Sequence, residues 1–370
     1  MKKMMLKPRT ETELAEMIAG ATGPLAFCGG GTRGFDVAGE ALTTSGLSGV
    51  ELYEPGALTM VARAGTPVAE IEALLAENGQ RLAFEPMDHR GLLGTEGVPT
   101  IGGVFAANIS GPRRIQVGAA RDFLLGVRFV DGTGQVVKNG GRVMKNVTGY
   151  DLVKLMSGAH GTLGVLSEVS FKVLPRPEVA ATVVVQDVDL EVAVQVMSAA
   201  LGSPFDVTGA AYDPVERRAY VRIEGFAGSV DYRVGRLVAD LARFGAVQQV
   251  NDSENLWRGI RDVSAFHGNA GDVWRISVKP SDAVELAEQL QAEALQFDWG
   301  GGLIWALVPA GTDLRARIAV PGHATLMRAG AETRGRLGQF QPEPAPLAAI
   351  SAELRAKFDP RGILNTGLMG

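Results

Sequence analysis

The sequence predicts an α+β protein built in two parts, and three observations carry that reading. Glycine-rich centres stand at residues 29–34, 97–111 and 158–164, each beside a strand-like or short helical segment. Beyond Pro175-Arg176-Pro177 the text changes to strand–helix–strand alternation, which suggests an antiparallel sheet covered on one face by helices. Finally, 370 residues with 46% hydrophobic content can bury a sizeable core and favour two domains over one. The expected division is 1–177, 178–340 and a C-terminal segment, 341–370, that returns to the first part.

In chain order, Thr10-Glu11-Thr12-Glu13 is a capping box, and Leu14, Met17 and Ile18 give the helix behind it one apolar face. A short strand over Leu25 to Phe27 leads into Cys28-Gly29-Gly30-Gly31-Thr32-Arg33-Gly34. This matches G-x-G-x-x-G, but no helical period follows between Phe35 and Gly49, so a Rossmann turn is excluded. What remains is a glycine turn with a hydroxyl, suited to a pyrophosphate, against the alternative of a plain tight turn. Leu58 to Arg63 alternates as a strand. Thr66 reads as a cap, Pro67 as the first helical residue, and Val68, Ile71, Leu74 and Leu75 as an apolar stripe. His89, between Asp88 and Arg90, reads as a solvated loop histidine.

The second centre, Gly97 to Arg114, holds a bare turn at Thr100 to Gly103 and a small apolar stretch, Val104 to Asn108. Leu124 to Val130, Asp131-Gly132-Thr133-Gly134 and Gln135 to Lys138 form a hairpin. A helix over Tyr150 to Met156, a loop over Gly158 to Gly164 and a strand over Val165 to Val173 follow. Past the proline boundary, strands are expected at 181–185, 220–224, 275–278 and 303–308, and helices at 190–201, 230–244, 282–295 and 347–358.

Composition excludes several classes. A net charge of −5 gives no footprint for nucleic acid. No apolar run reaches the ~18 residues of a membrane span, and the polar start is no signal peptide, so a cytoplasmic location is expected. The single cysteine, Cys28, excludes an internal disulfide framework and a Cys-based metal cluster.

Three stretches together resemble a known family: G-G-G-T at 29–32, T-I-G-G-V-F-A-A-N at 100–108, and K-N-V-T-G-Y-D-L-V-K-L with G-A-H-G-T-L-G-V-L-S-E at 145–168. They are similar to the PCMH-type FAD-binding domain of the vanillyl-alcohol-oxidase-type flavoproteins, in the branch that oxidises 2-hydroxy acids. The resemblance implies a two-subdomain FAD domain and a cap domain. It implies FAD contacts at Gly29, Gly30, Gly31, Thr32 and Arg33, then at Pro99, Thr100, Ile101, Gly102, Gly103, Asn108, Ser110 and Gly111. Further contacts are implied at Asp122, at Lys145, Asn146, Gly149, Tyr150 and Asp151, and at Gly161, Thr162, Gly164 and Val165. Thr32 stands where a tethering histidine can occur, and Cys28 reads as a packing residue, so non-covalent FAD is expected. The ending F-D-P-R-G-I-L-N-T-G resembles the segment that packs back onto the FAD domain, with Thr366 in place of the usual proline.

Hydroxy-acid dehydrogenases of this branch carry a cap histidine motif and a Glu-His pair that hold a divalent metal. Here the four histidines are His89, His160, His267 and His323, and no such set can be assembled; no metal site is expected. G-P-R-R at 111–114, V-L-P-R-P at 173–177, W-R-I-S at 274–277, D-W-G-G at 298–301 and G-H-A-T at 322–325 resemble the FAD-binding subunits of glycolate oxidases. The match runs from about residue 20 onward and is weakest between 178 and 270. It implies partners: a larger catalytic flavin subunit, and an iron–sulfur subunit, since this chain has no cysteine run for a cluster. It also implies that the chain relays electrons or supports its partner while glycolate becomes glyoxylate, peripherally at the inner membrane through those partners. The alternative is a free-standing FAD oxidoreductase of a small 2-hydroxy acid or alcohol. Its candidate catalytic groups are Arg275, whose guanidinium suits a carboxylate, and His323, placed in a small-residue turn. Strand-core packing at Arg275 and an ordinary buried histidine at 323 remain the competing readings.

Overall fold

The computed structural model describes residues 5–34, 37–143, 149–250 and 253–369. Lys145 and Asn146 lie outside the described residues. The first part contains two lobes. The smaller pairs Leu25–Cys28 in parallel with Glu40–Thr43 and covers them with the helix Glu11–Ala19. Thr10 caps that helix by accepting from Glu13 N at 3.1 Å, while the Glu13 carboxylate reaches back to Arg9 N at 2.7 Å. Leu14, Ile18, Leu25, Leu42 and Leu364 form the core of this lobe. The larger lobe is an antiparallel five-stranded sheet in the order Val50–Glu54, Thr59–Arg63, Val165–Lys172, Leu124–Val130, Val136–Gly140. Behind it the rings of Phe84, Phe105, Phe123 and Phe171 lie 5.3–5.5 Å apart in tilted contacts.

Thr66 is fully buried and does not cap the following helix. Its hydroxyl instead donates to Arg63 O at 2.7 Å and accepts from Gly49 N at 3.0 Å, and Pro67 takes the N-cap position of Val68–Glu77. Residues 359–365 close the smaller lobe. Leu25 N donates to Ile363 O at 2.8 Å, and Phe27 N donates to Asn365 Oδ1 at 2.6 Å.

The second part is an eight-stranded, wholly antiparallel sheet. Alternate residues of each strand point to opposite faces. Val183, Val221, Trp274, Ile276 and Ile304 face outward, where the helices Leu190–Leu201, Ala227–Leu241 and Ala283–Leu290 cover them. The inner face turns to the first part. It also carries the helix Ser253–Asp262, anchored by Trp257 against Val184, Ala211 and Tyr220. The sequence hides this helix because it is dense in charge and offers one buried aromatic.

Two expectations in this part are corrected. The segment expected as a helix to residue 295 stops at Leu290, because Gln291 adopts the left-handed conformation (φ 48°), and Ala294–Asp298 is a strand. His323 sits on the strand Gly322–Arg328, not in a turn.

A largely buried ionic network joins the two parts and lines a cavity between them. Arg222 on the cap donates through both Nη atoms to Glu85, at 3.0 and 2.9 Å. Glu224, two residues on and therefore on the same face, accepts from Arg81 at 2.9 Å and is clasped by Arg113. Burial alone would raise the Glu224 pKa, but Arg222, Arg113 and Arg81 outweigh it and hold it down to about 2. Arg222 stacks over Trp257 at 4.5 Å.

Candidate cofactor cleft and adjoining chamber

A cavity of about 370 Å³ runs between the two lobes of the FAD part. Gly29, Gly30, Gly31, Thr32 and Arg33 line one side; Gly102 and Gly103 line another; Gly161, Gly164 and Val165 line a third. All three glycine centres therefore meet on one cleft, although their bareness serves different ends. A Cβ on Gly30 would sit 1.5 Å from Val98 O, and one on Gly102 would press into Ala64 at 2.5 Å. These two glycines allow backbone to pack against backbone. At Gly31, which has φ +75°, a Cβ would meet nothing within 4 Å. At Gly103 it would meet only Thr100 Oγ1, at 3.2 Å. Their open sides face the space a ligand would fill.

The other expected contacts are distributed differently. Thr100 and Ile101 are buried; Thr100 caps the Ile101–Ala106 helix, its hydroxyl accepting from Gly103 N. Thr162 is buried and donates to Ala159 O at 2.7 Å. Asp122 is exposed and accepts from Ala119 N, and Asp151 caps Leu152–Met156. Gly149 and Tyr150 are exposed, and Pro99 lies outside the lining. Asn108, Ser110 and Gly111 line a different space, described below. Several cleft residues escape a reading based on glycine runs, among them Thr44, Ala64, His160 and Asn365. The last two sit inside the G-A-H-G-T and L-N-T-G stretches, where only their neighbours stand out.

The cleft opens into a second chamber of about 280 Å³, and Arg33, Ala107 and His160 line both. The floor of the chamber is Asn108, Ser110, Gly111 and Arg114; its roof is the inner face of the cap sheet. There Arg275 pairs across the strands with Trp305 and Thr325. The neighbouring cross-strand row runs Asp298, Leu303, Ser277, His323. Arg275 and His323, the two candidate catalytic residues, thus face one space. Asp298 faces it too, and the sequence reading assigned it no role.

Electrostatically the chamber is cationic. Burial, then the nearby Arg275, lowers Arg33 to about 9. Burial and Arg114 lower Arg275 to about 10, so it stays charged at neutral pH. His89 is 5% exposed, a correction to its expected solvated position; burial, then Arg33, drive it to about 3, so it is neutral. Burial lowers His160 and, together with Arg275, His323. Trp299 is clamped between guanidinium groups, Arg275 at 5.0 Å and Arg114 at 4.9 Å from the ring centre, and its Nε1 donates to Gly111 O at 3.0 Å. His267 belongs elsewhere: its ring lies against Gly91, with Nε2 at 2.8 Å from Asp262 O.

Comparison with known proteins fits this geometry. Residues 3–140 match the family described as FAD binding domain. Glycolate oxidase subunit GlcE of Escherichia coli (strain K12) is 36% identical over 356 residues, spanning 94% of this chain and 92% of that protein. The chain belongs to the GlcE family of glycolate oxidase subunits. It carries an FAD-binding domain and belongs to an oxidoreductase family. Glycolate oxidase subunit GlcD of Bacillus subtilis is 36% identical over 101 residues, 27% of this chain and 22% of its own. Among solved structures, an alkyldihydroxyacetonephosphate synthase superposes with a TM-score of 0.71 at 15% identity, covering 98% of this chain and 75% of that one. That likeness establishes the fold: a PCMH-type FAD-binding part with an antiparallel cap. No helix among the described residues is long and apolar enough to cross a membrane.

Proposed function

We propose that this GlcE-family chain is the FAD-holding subunit of a complex that oxidises glycolate to glyoxylate. In this reading it works beside a larger catalytic flavin subunit and an iron–sulfur subunit, relaying electrons or supporting the larger subunit. Residues 1–177 and 341–370 form the FAD-holding part and 178–340 the cap. The chain lies in the cytoplasm and reaches the inner membrane through its partners. The observation that carries the proposal is the continuity of a glycine-walled cleft with an arginine-walled chamber.

The cleft residues fit FAD: the open faces of Gly31 and Gly103 leave room for the diphosphate, and the small residues Ala106, Ala107 and Gly164 suit a flat ring. Bound there, FAD supplies a two-electron acceptor. The chain's own residues bind, orient and exclude water. Arg275 holds a carboxylate, while neutral His89 and His160 fill the walls without adding charge.

FAD is held without a covalent link. Cys28 lines the cleft, but burial raises its thiol, and Thr43 offsets this only in part, so the nucleophilic thiolate is scarce. Acid precipitation of the purified protein should leave the yellow colour in the supernatant; colour fixed in the pellet would contradict this.

A second reading, in which the chain itself oxidises a small 2-hydroxy acid, draws support from Arg275 and His323 facing the same chamber. Anaerobic stopped-flow separates the two. In the relay reading glycolate leaves the flavin of the isolated chain oxidised, and adding the larger flavin subunit brings reduction. Rapid bleaching of the isolated chain, lost in Arg275→Met and slowed about 10²–10⁴-fold in His323→Ala, would establish the second.

A further inference from the structure

Asp298 is 3% exposed, yet it lines the chamber, and among the described residues its carboxyl has one hydrogen-bond donor, Trp299 N at 2.7 Å. That bond caps the short turn Trp299–Gly301 and uses one oxygen. A cap alone is served equally well by a neutral Asn or Ser, so it does not account for a carboxyl set beside a ligand-sized space. Two strands away on the same face, Arg275 stacks on Trp299 and enters no ion pair among the described residues. A fixed cation and a carboxyl that forms no ion pair with it thus share one chamber.

We propose that the chamber takes up a small monocarboxylate together with a proton, the anion lodging against Arg275 and the proton on Asp298. This rests on the reading of the chamber as the anion site. Two carboxylates in one dry space repel, and the usual resolution is that one of them holds a proton. The surroundings make Asp298 the group that does so. Burial raises it most; Trp299 N–H, Arg222 and Arg275 pull it down, Glu85 pushes it up, and it settles at about 7. The other titratable groups facing the chamber do not change charge near neutrality. His89, His160 and His323 are lowered and neutral, and Arg33 and Arg275 stay cationic up to about 9 and 10. Arg114 and Arg261 complete the charged lining; Arg261 is paired to Asp262 at 2.8 Å. Once protonated, Asp298 can donate a hydrogen bond to the bound anion. Ionised, it repels the anion and weakens its binding.

The test is calorimetry of glyoxylate binding to the FAD-loaded full chain, with absorbance verifying that the flavin stays oxidised, in two buffers of different ionisation enthalpy. At pH 7 about half a proton should be taken up per anion bound, and Kd should weaken up to tenfold per pH unit between 7 and 8.5. Asp298→Asn keeps the cap bond to Trp299 N. It should bind glyoxylate with no proton uptake and with a Kd flat from pH 6 to 8.5, while Arg275→Met should lose binding by at least about 100-fold. Equal proton uptake in Asp298→Asn, or none in the wild-type chain that still binds, would overturn the role of Asp298 and leave the anion site standing. Wild-type protein that fails to bind glyoxylate even at pH 6, or Arg275→Met that binds it unchanged, would remove the anion site and this proposal with it.

Discussion

Gly103→Val is expected to leave a folded chain that no longer retains its flavin. The residue lies in the Ile101–Ala106 helix with ordinary helical geometry, so a side chain meets no backbone prohibition there. Its Cβ would touch only Thr100 Oγ1, and the remaining volume is the cleft itself. Valine loses a few tenths of a kcal/mol in helix propensity beside alanine, but glycine costs more, so the fold is expected to survive. Two extra methyl groups in the cleft overlap the ligand, and overpacking of about 3 kcal/mol weakens binding about a hundredfold. Flavin absorbance after gel filtration is the measurement, with circular dichroism to verify folding; wild-type flavin content would show that this face is not the cofactor's. Gly30→Val is a different experiment. There the new side chain is driven into Val98 O, so the expected outcome is a destabilised loop pair, and flavin loss follows from misfolding.

Glu224→Ala is expected to destabilise the protein by roughly 3 kcal/mol, because it removes the carboxylate that clasps the nearly buried Arg113 and leaves Glu85 alone to balance both Arg113 and Arg222 at the junction of the two parts. Glu224→Gln should cost less, since its one amide oxygen can still accept from Arg81 and Arg113, although the charge is lost and its NH2 cannot accept from Arg113 Nε. The same carboxylate gives a sign for acid. Its folded pKa of about 2 lies below the ordinary 4.5, so its contribution is fully present above pH 4.5 and is lost as pH falls toward 2. Glu85, also lowered once Arg222 and Arg113 overcome its burial, adds in the same direction. Urea midpoints at pH 7 and pH 3 should therefore lie well apart in wild type and closer in Glu224→Ala. Equal separation would place the acid sensitivity elsewhere.

The FAD part was the more legible half of the chain, for a physical reason. Its glycine clusters, its capping box at Thr10 and its hairpin turn at Asp131-Gly132 are local signals, and the structure places them as strand ends, a cap and a turn. Thr66 misled because a capping hydroxyl and a hydroxyl buried under a strand are the same residue type, and only tertiary packing separates them. In the cap, Leu190–Leu201 and Leu303–Val308 were clear from periodicity. The Gln291 stop was hidden, since a left-handed residue that is not glycine leaves no mark in the text. The chamber was least legible of all. Arg275 and His323 invite attention as residue types, but Asp298 becomes notable only when strand register sets it under the same roof as Arg275. His89 looked solvated beside two charged neighbours, and only the docking of the cap sheet takes it out of water.

The Asn365 side chain bonds to Phe27, 338 positions earlier, and donates to His160 O at 2.9 Å, so one residue ties together two walls of the cleft. A ribosome making this chain therefore exposes the glycine-rich loops long before it supplies the segment that closes them. The cap must be synthesised in between, and the cleft is an open lobe throughout that interval. Cofactor loading is then expected to be a late event in the life of each molecule, waiting on the arrival of residues 359–365. Free flavin present during synthesis would find its site only after the cap is made, and a nascent chain stalled within the cap would be colourless.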